Sequence, residues 1–473
     1  MRIAAPVCAL TVAASLALAP AAQAAPFPAQ SSVDDFSIEG NSLDAQGENF
    51  YTTTKNLSDF QPGDVIKTRE LTYRALSLPL PLQVTQILYR TTNALGQPDA
   101  AVTSVIKPNQ PANGRLVSFH SLYDATSPEY GPSRAIAGNL SIGGIVASWE
   151  TVPILAYLAQ GYTVAMPDIE GGTAEFANGP AYGAATLDGI RAVGKVPATG
   201  IAADAPVGMT GYSGGSIASA WGAAMAPNYA PDVNARLVGS TAGGLLIDPG
   251  KNFDYVSGTP LWAGVIPLTV TGAARAYHMD LDPYLSENGK HILASVQQSS
   301  FINSMLTWGG VTWADMAKPE YHDWRSVPPL VAALNKMNLG LGANPTVPMQ
   351  LVQGTGGYWE LSFSTPHGAG DGVMLATDAR ALAQKWCAAG MPVEYAESPL
   401  AHTGTSVVHF ADSVKWLTDR FNGVPAPNNC GSIPQGNNFA SYEAVPPSAP
   451  NQPRQPVGST AASLALRNGA MSS

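Results

Sequence analysis

The chain has 473 residues, including 47 Gly and 39 Pro, and 45% of its residues are hydrophobic whereas only 12% are charged. This apolar content excludes a protein that is disordered throughout, and the frequent glycine and proline exclude a coiled coil. Lys and Arg number 24 against 34 Asp and Glu. The chain therefore lacks the overall positive charge that binding to a nucleic-acid backbone requires, and we expect a loop-rich globular protein without a nucleic-acid partner.

The first 24 residues have the pattern of a secretory signal peptide. Arg2 supplies a positive charge, residues 3–18 are apolar, and Ala22-Gln23-Ala24 fits a cleavage site between Ala24 and Ala25. Prolines interrupt the apolar run and end it short of the roughly 20 residues that a membrane span needs. The sequence thus predicts a secreted, extracellular protein without an integral membrane segment once the signal peptide is removed.

The first predicted elements after the signal peptide are strands. One strand is predicted over 65–71. Two further segments rich in β-branched residues, 84–90 and 100–106, flank the turn signal Gly96-Gln97-Pro98-Asp99. This pattern is typical of a β-hairpin.

Strands and helices then alternate along the chain. The six later strand candidates are 115–119, 162–166, 206–210, 237–241, 347–352 and 392–396. Helical stretches such as 153–160 and 216–225 separate them. A hairpin followed by repeated strand–helix units predicts an α/β fold with a mostly parallel central sheet.

Two regions depart from this alternation. Residues 250–335 carry several aromatic residues amid helical stretches such as 291–305, which predicts an inserted helical cap, although extra core helices are the alternative. Residues 432–473 are rich in Pro, Asn, Ser and Gln, which predicts a flexible tail. The other residues after the signal peptide, 25–249 and 336–431, are predicted to form the α/β core.

The cysteines agree with an exported protein. Cys8 lies in the signal peptide, so only Cys387 and Cys430 remain after cleavage. Two cysteines in an oxidising compartment predict one disulfide. Their spacing lacks the paired ligands of a zinc site.

The segment Gly211-Tyr212-Ser213-Gly214-Gly215 matches the pattern G-x-S-x-G. It follows a predicted strand and precedes a predicted helix, which is the context of a nucleophile elbow. Glycines on both sides of the serine are needed because side chains there would collide with the strand and the helix. Ser213 is therefore the predicted nucleophile.

In this arrangement the acid and then the histidine follow the serine along the chain. His402 lies in the loop after the last predicted strand, where catalytic groups of open α/β sheets are found. Asp371 lies between two glycines shortly before a predicted helix and is the predicted acid, although aspartate there is also an ordinary helix cap. Glu360 and Asp378 are the second and third candidates.

An oxyanion hole requires backbone or side-chain donors beside the nucleophile. The backbone N–H of Gly214, the residue after the serine, is the first predicted donor. The second should come from the loop after the strand 115–119, which reads Phe119-His120-Ser121-Leu122-Tyr123-Asp124-Ala125. This loop lacks the HGGG pattern, so an unusual donor is expected.

Around these motifs the chain resembles the secretory lipases of the yeast lipase A type, which have many actinobacterial members. The resemblance rests on the elbow helix, with Ala218, Trp221 and Tyr229-Ala230-Pro231-Asp232, and on two later segments, 385–390 and 416–421, the second leading to Cys430. It extends over roughly residues 35–432. It implies an α/β-hydrolase fold with a helical lid, and hydrolysis of acylglycerol esters that include long acyl chains.

The resemblance also implies roles for single residues. The family's nucleophile falls on Ser213, its histidine on His402 and its oxyanion-hole aspartate on Asp124. The chain departs from the family before the acid, where residues 363–370 lengthen the loop that leads to Asp371. The implied two-step acyl transfer needs no metal and no organic cofactor.

Several functions remain compatible with the same residues. The preferred hypothesis is a triacylglycerol lipase. Its substrate would be an ester or a lipid, including lipid presented at a lipid–water interface. A short-chain carboxylesterase, an acyltransferase or a peptidase would use the same triad. An exported binding protein with an inactive hydrolase site is the alternative outside the enzymes.

Overall fold

The computed structural model describes residues 40–448. The predicted signal peptide and the last part of the predicted tail, residues 449–473, lie outside the described residues. Within residues 40–448, none of the helices combines the length and the apolar character that a membrane crossing requires.

One sheet of nine strands organises the described residues. The strands are β1 (Val65–Ala75), β2 (Leu78–Thr92), β3 (Pro98–Ile106), β4 (Leu116–His120), β5 (Thr163–Pro167), β6 (Val207–Tyr212), β7 (Leu237–Gly243), β8 (Met349–Gly354) and β9 (Val393–Ser398). Their order in the sheet is β1-β2-β3-β5-β4-β6-β7-β8-β9. Strands β4 to β9 run parallel, whereas β1, β2 and β3 form an antiparallel meander that joins β5. The predicted α/β fold with a mostly parallel sheet is therefore confirmed.

Helices cover both faces of the sheet. The α-helices are α1 (Pro132–Ile136), α2 (Ile145–Trp149), α3 (Thr151–Leu158), α4 (Gly179–Val193), α5 (Gly214–Tyr229), α6 (Pro231–Asn234), α7 (Pro249–Val256), α8 (Val265–Ala276), α9 (Glu287–Ser295), α10 (Phe301–Trp308), α11 (Trp313–Met316), α12 (Pro328–Lys336), α13 (Ala376–Ala388) and α14 (His402–Phe421). Short 3-10 helices occupy Leu57–Asp59, Pro128–Tyr130, Pro197–Thr199, Pro319–Tyr321, Trp324–Ser326, Leu339–Leu341, Gly357–Glu360 and Cys430–Ser432.

The central strands are buried on both faces. Helices α3 and α14 cover one face, where Tyr157 and Leu417 pack in one cluster with Val117 and Phe119 of β4. Helices α4, α5 and α13 contribute to a larger apolar cluster, which includes Val207 and Met209 of β6. Because both faces are covered, these strands have continuous apolar sequences rather than an alternating pattern.

The chain between β7 and β8 is mainly helical and contains α7 to α12. The helical stretch predicted over 291–305 is not one helix, because α9 ends at Ser295 and α10 begins at Phe301. Ser300 causes part of this break, since its side chain accepts a hydrogen bond from Asn303 N and so caps α10. Ser300 also forms a bridge with Ala125, in the loop after β4.

Residues 432–448 of the predicted tail contact the rest of the described chain. The hydroxyl of Tyr442 donates to Asp248 Oδ1 at 2.7 Å, and Ser448 N donates to Glu320 O at 2.9 Å. Phe439 and Tyr442 pack over glycines 340 and 250, where an added Cβ would lie only 2.3 and 2.5 Å from the rings. These two aromatic contacts, which hold a segment rich in Asn and Pro against the rest of the described chain, could not be predicted from composition alone.

The predicted disulfide is confirmed. Cys387 near the end of α13 and Cys430 are joined across 43 positions of the sequence. The bond therefore connects the segment after α14 to the helix that precedes β9. Such a cross-link stabilises a protein mainly by restricting its unfolded chain.

Candidate active site

Ser213 lies at a sharp turn between β6 and α5. Its backbone has φ 53° and ψ −122°, a conformation that residues with a side chain rarely adopt. The turn needs glycine on both sides, because a Cβ on Gly211 would lie 2.2 Å from Gly215 O and one on Gly215 would lie 2.0 Å from His120 O. The local sequence thus forces the serine hydroxyl to the carboxyl edge of the sheet.

His402 is the first residue of α14 and is brought to the same edge. Its Nε2 lies 2.9 Å from Ser213 Oγ, and its Nδ1 lies 2.7 Å from Asp371 Oδ2. A proton on Nδ1 that is donated to Asp371 leaves Nε2 free to accept the serine hydroxyl. The hydroxyl of Tyr212 donates to His402 O at 2.6 Å and anchors the backbone of the histidine.

Asp371 is completely buried and is fixed by four further contacts. Its Oδ1 accepts the backbone N–H groups of Val373 at 3.1 Å and Met374 at 2.7 Å. Its Oδ2 accepts Gln353 Nε2 at 2.9 Å, and its backbone oxygen accepts His402 N at 2.6 Å. The N-cap of α13 is Leu375, so Asp371 does not cap that helix.

The two other candidate acids have different partners. Glu360 accepts Trp262 Nε1 at 2.8 Å and the backbone N–H of Thr403 at 2.9 Å, so it ties the region between β7 and β8 to the start of α14. Asp378 lies 3.5 Å from Lys251 and accepts Asn437 Nδ2 at 2.7 Å. Neither carboxylate is hydrogen-bonded to the ring of His402.

The predicted oxyanion residues also meet beside Ser213. Asp124 has a φ of 37°, and its carboxyl group packs against the backbone of Gly214. The approach is so close that a Cβ on Gly214 would overlap Asp124 Oδ1 at 1.8 Å. Burial raises the pKa of Asp124 to about 7, although His402 and the backbone N–H of Gly214 act in the opposite direction. Near neutral pH the Asp124 carboxyl group is therefore protonated in a large fraction of the molecules.

A cavity of about 620 Å³ opens over these residues. Ser213, His402, Asp124 and Gly214 form part of its wall. The rest is mainly apolar and includes Leu122, Val146, Trp149, Phe176, Leu246, Phe253, Val256, Leu261, Trp262, Val265, Ile266, Phe301, Ile302, Met305, Val373, Met374, Val407 and Phe410. Many of these side chains come from α7, α8 and α10 or from the segments beside them. Within residues 40–448, no cluster of His, Cys, Asp and Glu is suited to hold a metal ion.

Two residues that support the histidine were not singled out from the sequence. Gln353 is a polar residue near the carboxyl end of a buried strand, and that position was a usable signal. Trp262 places its ring 5.3 Å from the His402 ring in an edge-to-face arrangement. No sequence pattern marks Trp262, because its contact depends on how the chain between β7 and β8 folds back.

The pKa of His402 predicts the acidic limit of activity. Burial, the largest single influence, lowers this pKa, but the charge and the hydrogen bond of Asp371, together with the charge of Glu360, raise it above 6.5. A histidine that acts as a base must be neutral, so kcat/KM should fall as the pH decreases through a midpoint above 6.5. We expect this midpoint in pH-stat assays with a soluble short-chain ester between pH 5 and 9.

A Glu360→Gln variant provides the internal comparison for this profile. The charge of Glu360 also raises the pKa of His402, so its removal should move the acidic limb to lower pH. A wild-type midpoint below pH 6.5, or a shift in the opposite direction, would contradict the assignment of His402 as the titrating base.

The chain matches the model of the secretory lipase family over residues 137–429. It is 31% identical over 384 residues to a protein of Mycobacterium tuberculosis named a probable inactive lipase, covering 80% of this chain and 82% of that protein. It is 27% identical over 419 residues to Lipase 4 of Candida albicans, covering 85% of this chain and 87% of that lipase. The crystal structure of Candida antarctica lipase A in its closed state superposes with a TM-score of 0.73 at 24% identity, covering 84% of this chain and 91% of that one. The chain therefore belongs to the secretory lipase family and is an ester hydrolase with the α/β-hydrolase fold.

Proposed function

We propose that the protein cleaves carboxylic esters through an acyl-enzyme, with Ser213, His402 and Asp371 as its catalytic triad. The observation that carries this proposal is the continuous chain of hydrogen bonds from Ser213 Oγ through the His402 ring to Asp371 Oδ2. This chain ends at an apolar cavity. A hydroxyl, an imidazole and a buried carboxylate in this order suit acyl transfer.

The reaction would proceed in two steps. His402 Nε2 takes the proton of Ser213 as the serine oxygen attacks the ester carbonyl, and the imidazolium then protonates the departing alcohol. Water, deprotonated by the same nitrogen, attacks the acyl-enzyme. The bond between the acyl carbon and Ser213 Oγ then breaks, the imidazolium returns the proton to Oγ, and the carboxylic acid is released. Asp371 keeps the imidazole in the required tautomer and stabilises its charged form.

Gly214 and Asp124 would stabilise the oxyanion of both steps. The N–H of Gly214, the residue against which Asp124 packs, is also the donor closest in sequence to the nucleophile. The raised pKa of Asp124 keeps a proton on its carboxyl group near neutral pH, so that its O–H can donate a hydrogen bond to the oxyanion. A carboxylate that stayed charged would instead repel the developing negative oxygen.

The cavity favours a lipase that accepts long acyl chains over a short-chain esterase. Its volume of about 620 Å³ and its apolar walls suit a flexible hydrocarbon chain. Residues 250–335 contribute much of this wall, which supports their role as a cap over the acyl site. We infer that the substrate is a triacylglycerol or a related long-chain ester, met at a lipid–water interface.

The protein would act outside the cell. Membership of the secretory lipase family agrees with the signal pattern of residues 1–24, for which cleavage between Ala24 and Ala25 is proposed. The disulfide between Cys387 and Cys430 suits an oxidising compartment.

The proposal predicts covalent labelling and a preference for long acyl chains. A fluorophosphonate should label Ser213 in the mature protein, as read by peptide mass spectrometry, because His402 is positioned to activate its hydroxyl. Hydrolysis measured from acetyl to stearoyl esters should be faster with the longer chains. An added alcohol should not compete strongly with water for the acyl group.

Each contrary result selects one alternative. Failure of Ser213 to label would favour an exported binding protein with an inactive site. Labelling with a maximum at acetyl or butyryl esters would favour a short-chain carboxylesterase. Faster transfer to the alcohol than to water would favour an acyltransferase.

A further inference from the structure

The loop after β4 is under backbone strain at the point where it reaches the site. We call residues 121–125 the oxyanion loop. Asp124 in this loop has a φ of 37°, in the left-handed region that residues with a side chain seldom adopt. Such a conformation persists only where the surrounding contacts hold it.

A first buried carboxyl group holds the beginning of this loop. Glu150 lies between α2 and α3 and is only 3% exposed. Its Oε1 accepts the backbone N–H of Leu122 at 3.0 Å, and its Oε2 is hydrogen-bonded to the hydroxyl of Ser121.

A second buried carboxyl group holds the end of the loop. Glu170 follows β5 and is 2% exposed. Its Oε1 accepts the backbone N–H of Ala125 at 2.9 Å and the hydroxyl of Tyr182 at 3.0 Å. Its own N–H donates to the hydroxyl of Tyr123, inside the loop, at 3.0 Å. Two glutamates from different elements therefore hold the backbone on either side of Asp124.

Burial favours the neutral form of both groups. It raises the pKa of Glu150 to about 8 and the pKa of Glu170 well above its ordinary value. Glu170 Oε2 has no hydrogen-bond partner within residues 40–448, a position that a charged oxygen would tolerate poorly. Neutral carboxyl groups can hold the loop without placing further negative charge beside the oxyanion.

We propose that Glu150 and Glu170 are positioning residues that hold the oxyanion loop, so that Asp124 stands beside the Gly214 N–H. This inference rests on the proposed acyl-transfer function. The two glutamates act through the loop backbone and not on the reacting atoms. A displaced loop should weaken stabilisation of the transition state and leave binding of the acyl chain nearly unchanged.

The decisive comparison is between two variants of Glu170. Glu170→Leu removes the acceptor of the Ala125 N–H, whereas Glu170→Gln keeps a neutral oxygen at the same place. We expect Glu170→Leu to lower kcat about tenfold to a hundredfold with KM within about twofold, because small displacements of catalytic groups have effects of this size. Glu170→Gln should restore kcat to within about threefold of the wild type, within the usual range for one hydrogen bond. All rates are expressed per active site titrated with a phosphonate.

Glu175 offers a matched control. It is also buried, burial raises the pKa of its carboxyl group to about 7, and its side chain is hydrogen-bonded to Thr173 rather than to residues 121–125. Glu175→Leu should therefore leave kcat per titrated site unchanged. A loss of kcat in Glu175→Leu equal to that in Glu170→Leu would overturn the inference.

Two other results would also overturn it. One is an unchanged kcat in Glu170→Leu, and the other is an equal loss in Glu170→Leu and Glu170→Gln. If Glu170→Leu does not fold, a double-mutant cycle of Glu150→Gln and Ser121→Ala tests the inference at the other end of the oxyanion loop. Non-additive effects on kcat would support a positioning role for the Glu150–Ser121 hydrogen bond, and additive effects would refute it. Phosphonate titration of the wild type separates these failures from failure of the proposed function, in which the wild-type serine itself would not react.

Discussion

Replacing Ser213 with alanine is expected to lower kcat for p-nitrophenyl esters by about a millionfold, the size of effect that removal of the serine has in other triad hydrolases. The variant keeps the glycine-framed turn between β6 and α5, and alanine fits the space that the serine occupies. The fold should therefore survive while the nucleophile is lost. The measurement is the initial rate of ester hydrolysis, together with circular dichroism to establish that the variant is folded.

Ser240→Ala is the matched control for this variant. Ser240 is a buried serine of β7, the strand next to β6, and its hydroxyl donates to Ser219 O at 3.1 Å. Its replacement should lower the free energy of unfolding by about 1 kcal/mol, the usual value of one hydrogen bond, and leave kcat nearly unchanged. Undiminished hydrolysis by Ser213→Ala would refute the acyl-enzyme mechanism.

The second large effect is expected from Asp371→Asn, which should lower kcat by about ten-thousandfold. The amide keeps the shape of the carboxylate but can present an N–H group to His402 Nδ1. The imidazole would then be held in the tautomer whose Nε2 carries the proton and cannot accept the Ser213 hydroxyl. A partial return of activity at high pH would agree with this explanation.

Glu360→Gln tests whether the acid has been chosen correctly. Glu360 is hydrogen-bonded to Trp262 and Thr403 rather than to the His402 ring. Its replacement should therefore reduce kcat by roughly tenfold at most, the upper value for one ordinary hydrogen bond. If Glu360→Gln lost as much activity as Asp371→Asn, Asp371 would not be the only acid on which catalysis depends.

The choice between Asp371 and Glu360 illustrates what a sequence can predict about such a site. Both residues lie in the segment between β8 and α13, and both are compatible with the order of serine, acid and histidine. The extended segment follows an irregular path that presents Asp371 to His402 Nδ1 and turns Glu360 towards the N-terminus of α14. Loop paths of this kind depend on contacts with distant residues, such as Gln353 and Trp262, and have no local pattern.

The same distinction explains the other differences between prediction and structure. The six later strand candidates all overlap strands. Burial on both faces gives β4 to β8 short, mainly apolar sequences that are recognisable locally, whereas β9 lies at the edge of the sheet and exposes Ala396 and Glu397. The break between α9 and α10 was missed because it depends partly on the bridge between Ser300 and Ala125. The contacts of Phe439 and Tyr442 were missed because composition does not reveal a partner more than 80 residues away along the chain.

The glycine-rich, weakly charged sequence by itself determined the α/β class, the strand–turn–helix at Ser213 and the pairing of Cys387 with Cys430. These features follow from side-chain patterns over a few residues, or from the presence of only two cysteines outside the predicted signal peptide. The tertiary structure alone decided which carboxylate meets His402, where Asp124 stands, and how buried glutamates hold its loop. Those arrangements join side chains far apart in sequence, whose distances are fixed only when the sheet, its helices and the chain between β7 and β8 pack together.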